Sequence, residues 1–116
     1  METRRLVLPK DLNQYGHLFG GRLLAWVDED SWIAASIQFP GSRFVTMAMD
    51  KVVFRHSVRE GTILTIKSKS VDLGRTSVTY EVRVVDEQAQ DENPIFTTRV
   101  TFVNVDELGK KVPIKK

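Results

Sequence analysis

The residues with the most chemical content share one stretch, Gly20-Gly21-Arg-Leu-Leu-Ala-Trp-Val-Asp28-Glu29-Asp30. Gly20 and Gly21 open a run with helical spacing, and the first amides of a helix lack intrahelical partners and carry the positive end of its dipole. Such amides suit a developing oxyanion, and glycine lets a reacting group come close. Asp28 follows about two turns later on the same face, roughly 10 Å along the axis. A carboxylate there can help an attack at such a site. It reaches an oxyanion at Gly20 or Gly21 only if the substrate lies along that face, or if carboxylate and amides come from different subunits. The second arrangement predicts a dimer. Leu24, Val27, Ser31 and Ala35 surround Asp28 at three- and four-residue steps, which predicts that it lines a cavity. Plainer alternatives stand beside these readings: a tight turn for the glycine pair, and a solvated helix edge paired with Arg22 or Arg43 for the acidic trio.

Asn13 and His17 lie in the loop just before this helix, where loop capping is their commoner role. The turn Gly74-Arg75-Thr76-Ser77 combines backbone access, a cation and hydroxyls, which can hold phosphate or amide groups; an ordinary hairpin turn has the same composition. His56 has no evident partner, and two histidines are too few for a histidine-rich metal site, so no metal is expected. Trp26 and Trp32 read as core rather than as a ligand platform. With no cysteine, any nucleophile must be oxygen or nitrogen.

The elements that position these groups follow from hydrophobic period and breakers. Residues 4–8 read as a short strand stopped by Pro9, and residues 10–16 as a polar loop. From Gly20 or Gly21 to about Gln38 the pattern is helical, ended by Phe39-Pro40-Gly41. Its apolar residues wrap most of the way round, which predicts a largely buried helix. Residues 43–58, 63–73, 76–85 and 95–105 then read as strands, with a turn at Gly74-Arg75 and a polar loop at 88–94. Val78, Tyr80, Val82 and Val84 define one dry face of their strand. Short connections imply antiparallel pairing, so the expected class is α+β, one long buried helix wrapped by a curved antiparallel sheet of about five strands.

A chain of 116 residues sustains one core, so residues 1–116 are expected to form one domain with a basic tail from about residue 107. Its 41% hydrophobic and 28% charged composition is that of a globular protein. No apolar run can cross a bilayer, and METRRLVLPK lacks the core of a signal peptide, which predicts a soluble, cytoplasmic protein with no membrane partner. The net charge of +2 sits largely in GKKVPIKK, which gives little support to nucleic-acid binding.

Asn13-x-x-Gly16-x-x-Phe19-Gly20-Gly21, followed by Leu23, Leu24 and Asp28, resembles the acyl-CoA hydrolase branch of the hotdog-fold thioesterases, both the bacterial YciA-like and the cytosolic acyl-CoA hydrolase-like members. Val45-Thr46 through Asp50 to Phe54 and Gly61, and Gly74-Arg75-Thr76-Ser77 before an alternating strand, agree with it. The resemblance implies five strands wrapped round the helix, two subunits joined edge to edge, and active sites at their interface. It implies hydrolysis of acyl-CoA to free acid and coenzyme A without a cofactor, the coenzyme A thioester being the substrate. Asp28 would be general base or nucleophile. Asn13 of the partner subunit would position the water or thioester, Gly20 and Gly21 would hold the oxyanion, and His17 would polarise the site. Gly74, Arg75, Thr76 and Ser77 would contact coenzyme A, with Arg75 on a phosphate. A homodimer is implied, from which a tetramer or hexamer can be built. Relatives of this kind often continue into a further helix, whereas Leu108-Gly-Lys-Lys-Val-Pro-Ile-Lys-Lys is too short and polar to pack as one, which weighs against a trimer of dimers.

Three other readings compete. A noncatalytic acyl-CoA binding or sensing module would bind without turnover. A hydratase of the same fold would need a closely spaced Asp and His pair, which His17 and Asp28 do not form. A small basic nucleic-acid binding domain would show salt-dependent binding.

Overall fold

In the computed structural model, which describes residues 1–90 and 93–115, strand β1 (Glu2–Leu6) leads through a short 3-10 turn (Pro9–Asp11) to helix α1 (Gly20–Gln38). Four strands follow: β2 (Phe44–Phe54), β3 (Ile63–Leu73), β4 (Ser77–Asp86) and β5 (Phe96–Asn104). They form one five-stranded sheet in the order β1-β3-β4-β5-β2, every pairing antiparallel, so β1 and β2 are its edges. The predicted loop 88–94 includes positions 91 and 92, outside the described residues.

One face of the sheet carries the core. Val78, Tyr80, Val82 and Val84 of β4 join Leu64 and Ile66 of β3 and Phe96, Val100 and Phe102 of β5, packed against Leu23, Val27, Ala34 and Ala35 of α1. The period-2 pattern of β4 thus does place its apolar residues on one face. The helix bounds match the expected ones because the Phe39 amide still reaches the Ala35 carbonyl at 2.9 Å before Gly41 adopts a φ of 85°.

Several expectations need correction. The helix is not largely buried: Trp32 and Ile33 are exposed and Ile37 is 67% exposed. Of the two tryptophans, only Trp26 packs against the core as expected. Trp26 is half-buried with the Arg5 guanidinium 5.4 Å from its ring centroid, and Trp32 lies open while its indole donates to the Phe44 carbonyl at 3.0 Å. The strand expected over 43–58 stops at Phe54. Arg55 still donates to the Ile95 carbonyl at 2.8 Å, but the chain then leaves the ladder, and the Val58 carbonyl takes the Leu18 amide at 2.7 Å. The basic tail forms no helix among the described residues, as expected, but it is docked. Val105 and Lys111 bridge around a turn at Gly109, Asn104 Nδ2 donates to the Pro113 carbonyl at 3.1 Å, and Ile114 is buried in the core cluster.

Edge strand β2 is unusual. Of its eleven residues only Phe44 is buried, and Val45, Met47, Val52, Val53 and Phe54 are all exposed. Long apolar edges template pairing with another chain unless something covers them.

Candidate active site

The three acidic residues of α1 have separate fates. Asp30, not Asp28, is the buried one at 3% exposure. Arg5 Nη2 on β1 lies 2.8 Å from Asp30 Oδ1 and 2.6 Å from Glu29 Oε1, and the Thr3 hydroxyl donates to Asp30 Oδ2. Burial works against the Arg5 charge, and the hydrogen bonds to Asp30 and Glu29 overcome it, raising its pKa above the usual value. This cluster ties α1 to β1. The partner is therefore Arg5 rather than Arg22 or Arg43. Arg22 instead faces buried Asp11, Nε to Oδ1 3.4 Å.

Two positions along a helix is about 200° of rotation, so Asp28 faces the opposite flank, toward β2. It is half-buried, and Oδ1 accepts a 2.7 Å hydrogen bond from the Thr46 hydroxyl. Thr46 is exposed, so the carboxylate sits at the rim of the sheet and not in an enclosed cavity of one chain. Oδ2 has no hydrogen-bond partner among the described residues. Thr46 had been named only as part of a segment agreeing with the family resemblance, with no role assigned. The available signal was that it is the only hydroxyl residue in FVTMAMDKVVF.

At the start of α1 the N-cap is Phe19, which has no side-chain acceptor to offer. The Arg22 and Leu23 amides both turn back to the Phe19 carbonyl, at 3.0 and 3.2 Å. The Gly20 and Gly21 amides receive no acceptor among the described residues, as an oxyanion site requires. A β-carbon on Gly20 would stand 3.4 Å from the Phe54 ring, an ordinary contact, so packing alone does not require that glycine. Beside it runs a groove of about 320 Å³ with a floor of Leu18, Leu23, Phe54 and Val58 and a rim that includes Arg55, His56 and Ser57. His56, unassigned from the sequence, therefore lies beside the helix start.

Asn13 caps its own loop. Its Oδ1 accepts the Tyr15 and His17 amides at 2.9 and 3.1 Å, leaving Nδ2 without an acceptor among the described residues. The capping and functional readings are thus compatible, because the cap fixes which way the amide group points. His17 is held through its backbone, which bridges to Arg59.

The sheet register decides which groups can meet. Thr46 pairs with Phe102 and Phe102 with Val78, so the Asp28 and Thr46 pair and the turn before Ser77 share one end of the sheet. Phe54 pairs with Phe96 and Phe96 with Val84, which puts Gly20 and its loop toward the other end, roughly 20 Å from the Ser77 turn at about 3.3 Å per residue, while Asp28 lies about 12 Å along α1 from Gly20. Within one chain the Gly74 to Ser77 turn and the Gly20 and Gly21 amides do not come together. The turn's backbone is occupied: Gly74 N–H donates to the Ser77 carbonyl at 2.8 Å, and the Thr76 and Arg75 carbonyls take the Asn104 and Ile114 amides at 2.8 and 2.9 Å. The Arg75 side chain is exposed. Among the described residues no three His, Asp or Glu side chains converge as a metal site, and no helix is long and apolar enough to cross a membrane.

Residues 15–92 match the family model of the thioesterase superfamily. The chain belongs to that superfamily. The hexameric hotdog-fold thioesterase of Campylobacter jejuni superposes with a TM-score of 0.84 at 36% identity, over 97% of this chain and 88% of that one, and the fold here is the hotdog fold. Acyl-coenzyme A thioesterase 11 of Mus musculus is 31% identical over 112 residues, 95% of this chain. The uncharacterised acyl-CoA thioester hydrolase YkhA of Bacillus subtilis is 30% identical over 112 residues, again 95% of this chain. The chain spans 19% of the mouse protein and 64% of the bacterial one.

Proposed function

We propose that this member of the thioesterase superfamily hydrolyses acyl-coenzyme A thioesters to the free acid and coenzyme A, in a site shared between two copies. The observation that carries the reading is the placement of the two halves of the machinery at opposite ends of an exposed β2. The carboxylate held by Thr46 lies at one end, and the unpaired Gly20 and Gly21 amides lie at the other. Antiparallel pairing of β2 with β2 of a second copy about the strand's middle brings Phe54 of one beside the partner's Phe44. Each Asp28 then approaches the partner's Gly20 and Gly21. The same pairing covers Val45, Met47 and Val53, which explains an apolar edge that would otherwise invite aggregation. Because the Campylobacter jejuni relative is described as hexameric, larger assemblies built from this dimer fit the reading too.

In this arrangement Asp28 takes a proton from water as the water oxygen attacks the thioester carbonyl, or attacks the carbonyl itself. The partner's Gly20 and Gly21 amides stabilise the oxyanion, each donor contributing about 3 to 4 kcal/mol. Asn13 Nδ2, aimed by its own cap, donates to the carbonyl or the water from the amide side, with His17 beside it. On the general-base route collapse expels the thiolate of coenzyme A, which takes the proton from Asp28. On the direct route expulsion of the thiolate leaves an anhydride between the acyl group and Asp28, which water hydrolyses to the free acid while the thiolate takes up the water's proton. A thioester needs only a base and oxyanion donors, so the chemistry proposed requires no cofactor from the protein. Gly74, Arg75, Thr76 and Ser77 of the chain that supplies Asp28 lie three strand spacings from the partner's amides, roughly 14 Å at about 4.8 Å each, a span suited to the pantetheine arm. The exposed Arg75 side chain then meets a phosphate. A cytoplasmic setting suits a chain without cysteine.

The test is free-thiol release from short, medium and long acyl-CoA esters, with Asp28→Asn as control. Release that is lost in the control supports the reading. Tight binding of the esters by a folded protein without turnover would replace it with a noncatalytic binding module.

A further inference from the structure

The segment after β2 is braced on both sides. The Arg55 amide donates to the Ile95 carbonyl at 2.8 Å, the Val58 carbonyl accepts the Leu18 amide at 2.7 Å, and Arg59 bridges to His17. This arch presents Arg55, His56 and Arg59 to solvent. Arg4, Arg5, Arg22 and Arg99 each have a carboxylate within 4 Å, whereas Arg55, His56 and Arg59 form no ion pair or side-chain hydrogen bond among the described residues. Arg55 and His56 stand on the rim of the groove of about 320 Å³ whose apolar floor, Leu18, Leu23 and Phe54, begins at Gly20.

An unpaired cation beyond an apolar floor is a place for an apolar chain that ends in an anion. Two parts of an acyl-CoA ester carry negative charge at a distance from the thioester: the phosphates, at the end of the long pantetheine arm, and any carboxylate on the acyl chain. The groove starts at the amides that would hold the carbonyl, so a group lying in it is only a few bonds from the reacting carbon. The phosphates are too far along their arm for that position, and the Gly74 to Ser77 turn of the partner subunit lies at a better distance.

We propose, building on the thioesterase reading, that the groove takes the acyl chain and that Arg55, with His56 beside it, binds a carboxylate at the chain's far end. The preferred substrates are then coenzyme A monothioesters of dicarboxylic acids. An arginine and carboxylate pair on this exposed rim is screened by solvent, corresponding to a preference of about two- to fivefold. The apolar floor keeps uncharged chains as weaker substrates.

Matched esters that differ only at the chain end test this: glutaryl-CoA against pentanoyl-CoA, and adipoyl-CoA against hexanoyl-CoA, in the full-length protein. In the wild type kcat/KM favours the carboxylated member at least about twofold. Arg55→Gln brings that ratio to about one, and Arg55→Glu inverts it; both changes are at an exposed position and leave the fold intact. Three results overturn the inference: a wild type that favours the uncharged esters, a ratio unmoved by Arg55→Gln, or an equal fall for both members of each pair, which assigns Arg55 to the coenzyme A portion. Hydrolysis of pentanoyl-CoA without a carboxylate preference removes only this inference. Absence of release from every ester removes the thioesterase reading with it.

Discussion

Replacing Thr46 by valine removes one hydroxyl and little else. The side chain keeps its shape and its place on β2, it is exposed, and no buried neighbour loses a contact, so the melting temperature should hold within a degree or two. The change deletes the 2.7 Å hydrogen bond that fixes Asp28 Oδ1. A hydrogen bond to a charged group contributes about 1.5 to 3 kcal/mol. If that bond holds the carboxylate in its reacting orientation, kcat should fall about ten- to a hundredfold with KM changed much less. Thr46→Ser keeps the hydroxyl and should recover most of the rate. Thiol-release kinetics on both variants, with sedimentation to confirm the wild-type assembly, give the comparison. A Thr46→Val enzyme within twofold of wild-type kcat would show that the bond is incidental to turnover.

Two further predictions concern the frame around the site. Asp30→Ala leaves the Arg5 guanidinium with only the exposed Glu29 carboxylate, and should cost about 2 to 3 kcal/mol in chemical denaturation, at the low end for a broken buried pair because Arg5 keeps some solvent. The phenol of Tyr80, pushed up to about 12 by burial, should remain protonated in the native state while the unfolded chain ionises near pH 10. Its contribution is present below pH 10 and lost as pH rises toward 12, so native stability should fall across that window, and Tyr80→Phe should flatten the fall.

Much of the architecture was legible because local signals agreed with one another. The Phe39-Pro40-Gly41 stop, the alternation of Val78 to Val84 and the turn at Gly74 each fix an element without long-range information. The site was legible only in part. The apolar stripe around Asp28 was real, but a helix with apolar residues on both flanks does not reveal which carboxylate is buried. That depended on Arg5, far away in sequence on β1. Thr46 was hidden for the same reason, since a single hydroxyl in a strand acquires meaning only when the helix is laid beside it. The tail forms no helix among the described residues, as its length and polarity implied, but its docking was not legible: Ile114 is one residue among lysines, and Asn104, through its side chain, holds the segment down. The excess apolar character of α1 and β2 stays unspent in a single chain, with Ile37, Met47 and Phe54 exposed, and the proposed pairing gives that excess of β2 its use.

Subunit complementation tests the shared site most directly. Asp28→Asn should inactivate one half of each site, and Asn13→Ala with bulky substitution of Gly21 should impair the other half. Mixed through denaturation and refolding in equal amounts, the two inactive proteins form hybrid dimers as about half of the population, and each hybrid carries one site with both halves native. The account predicts recovery of roughly a quarter of wild-type thioesterase activity on mixing, by this statistical argument applied to a two-fold interface. A mixture that forms hybrids and stays inactive would place the carboxylate and the amides of each site in the same chain and contradict the account.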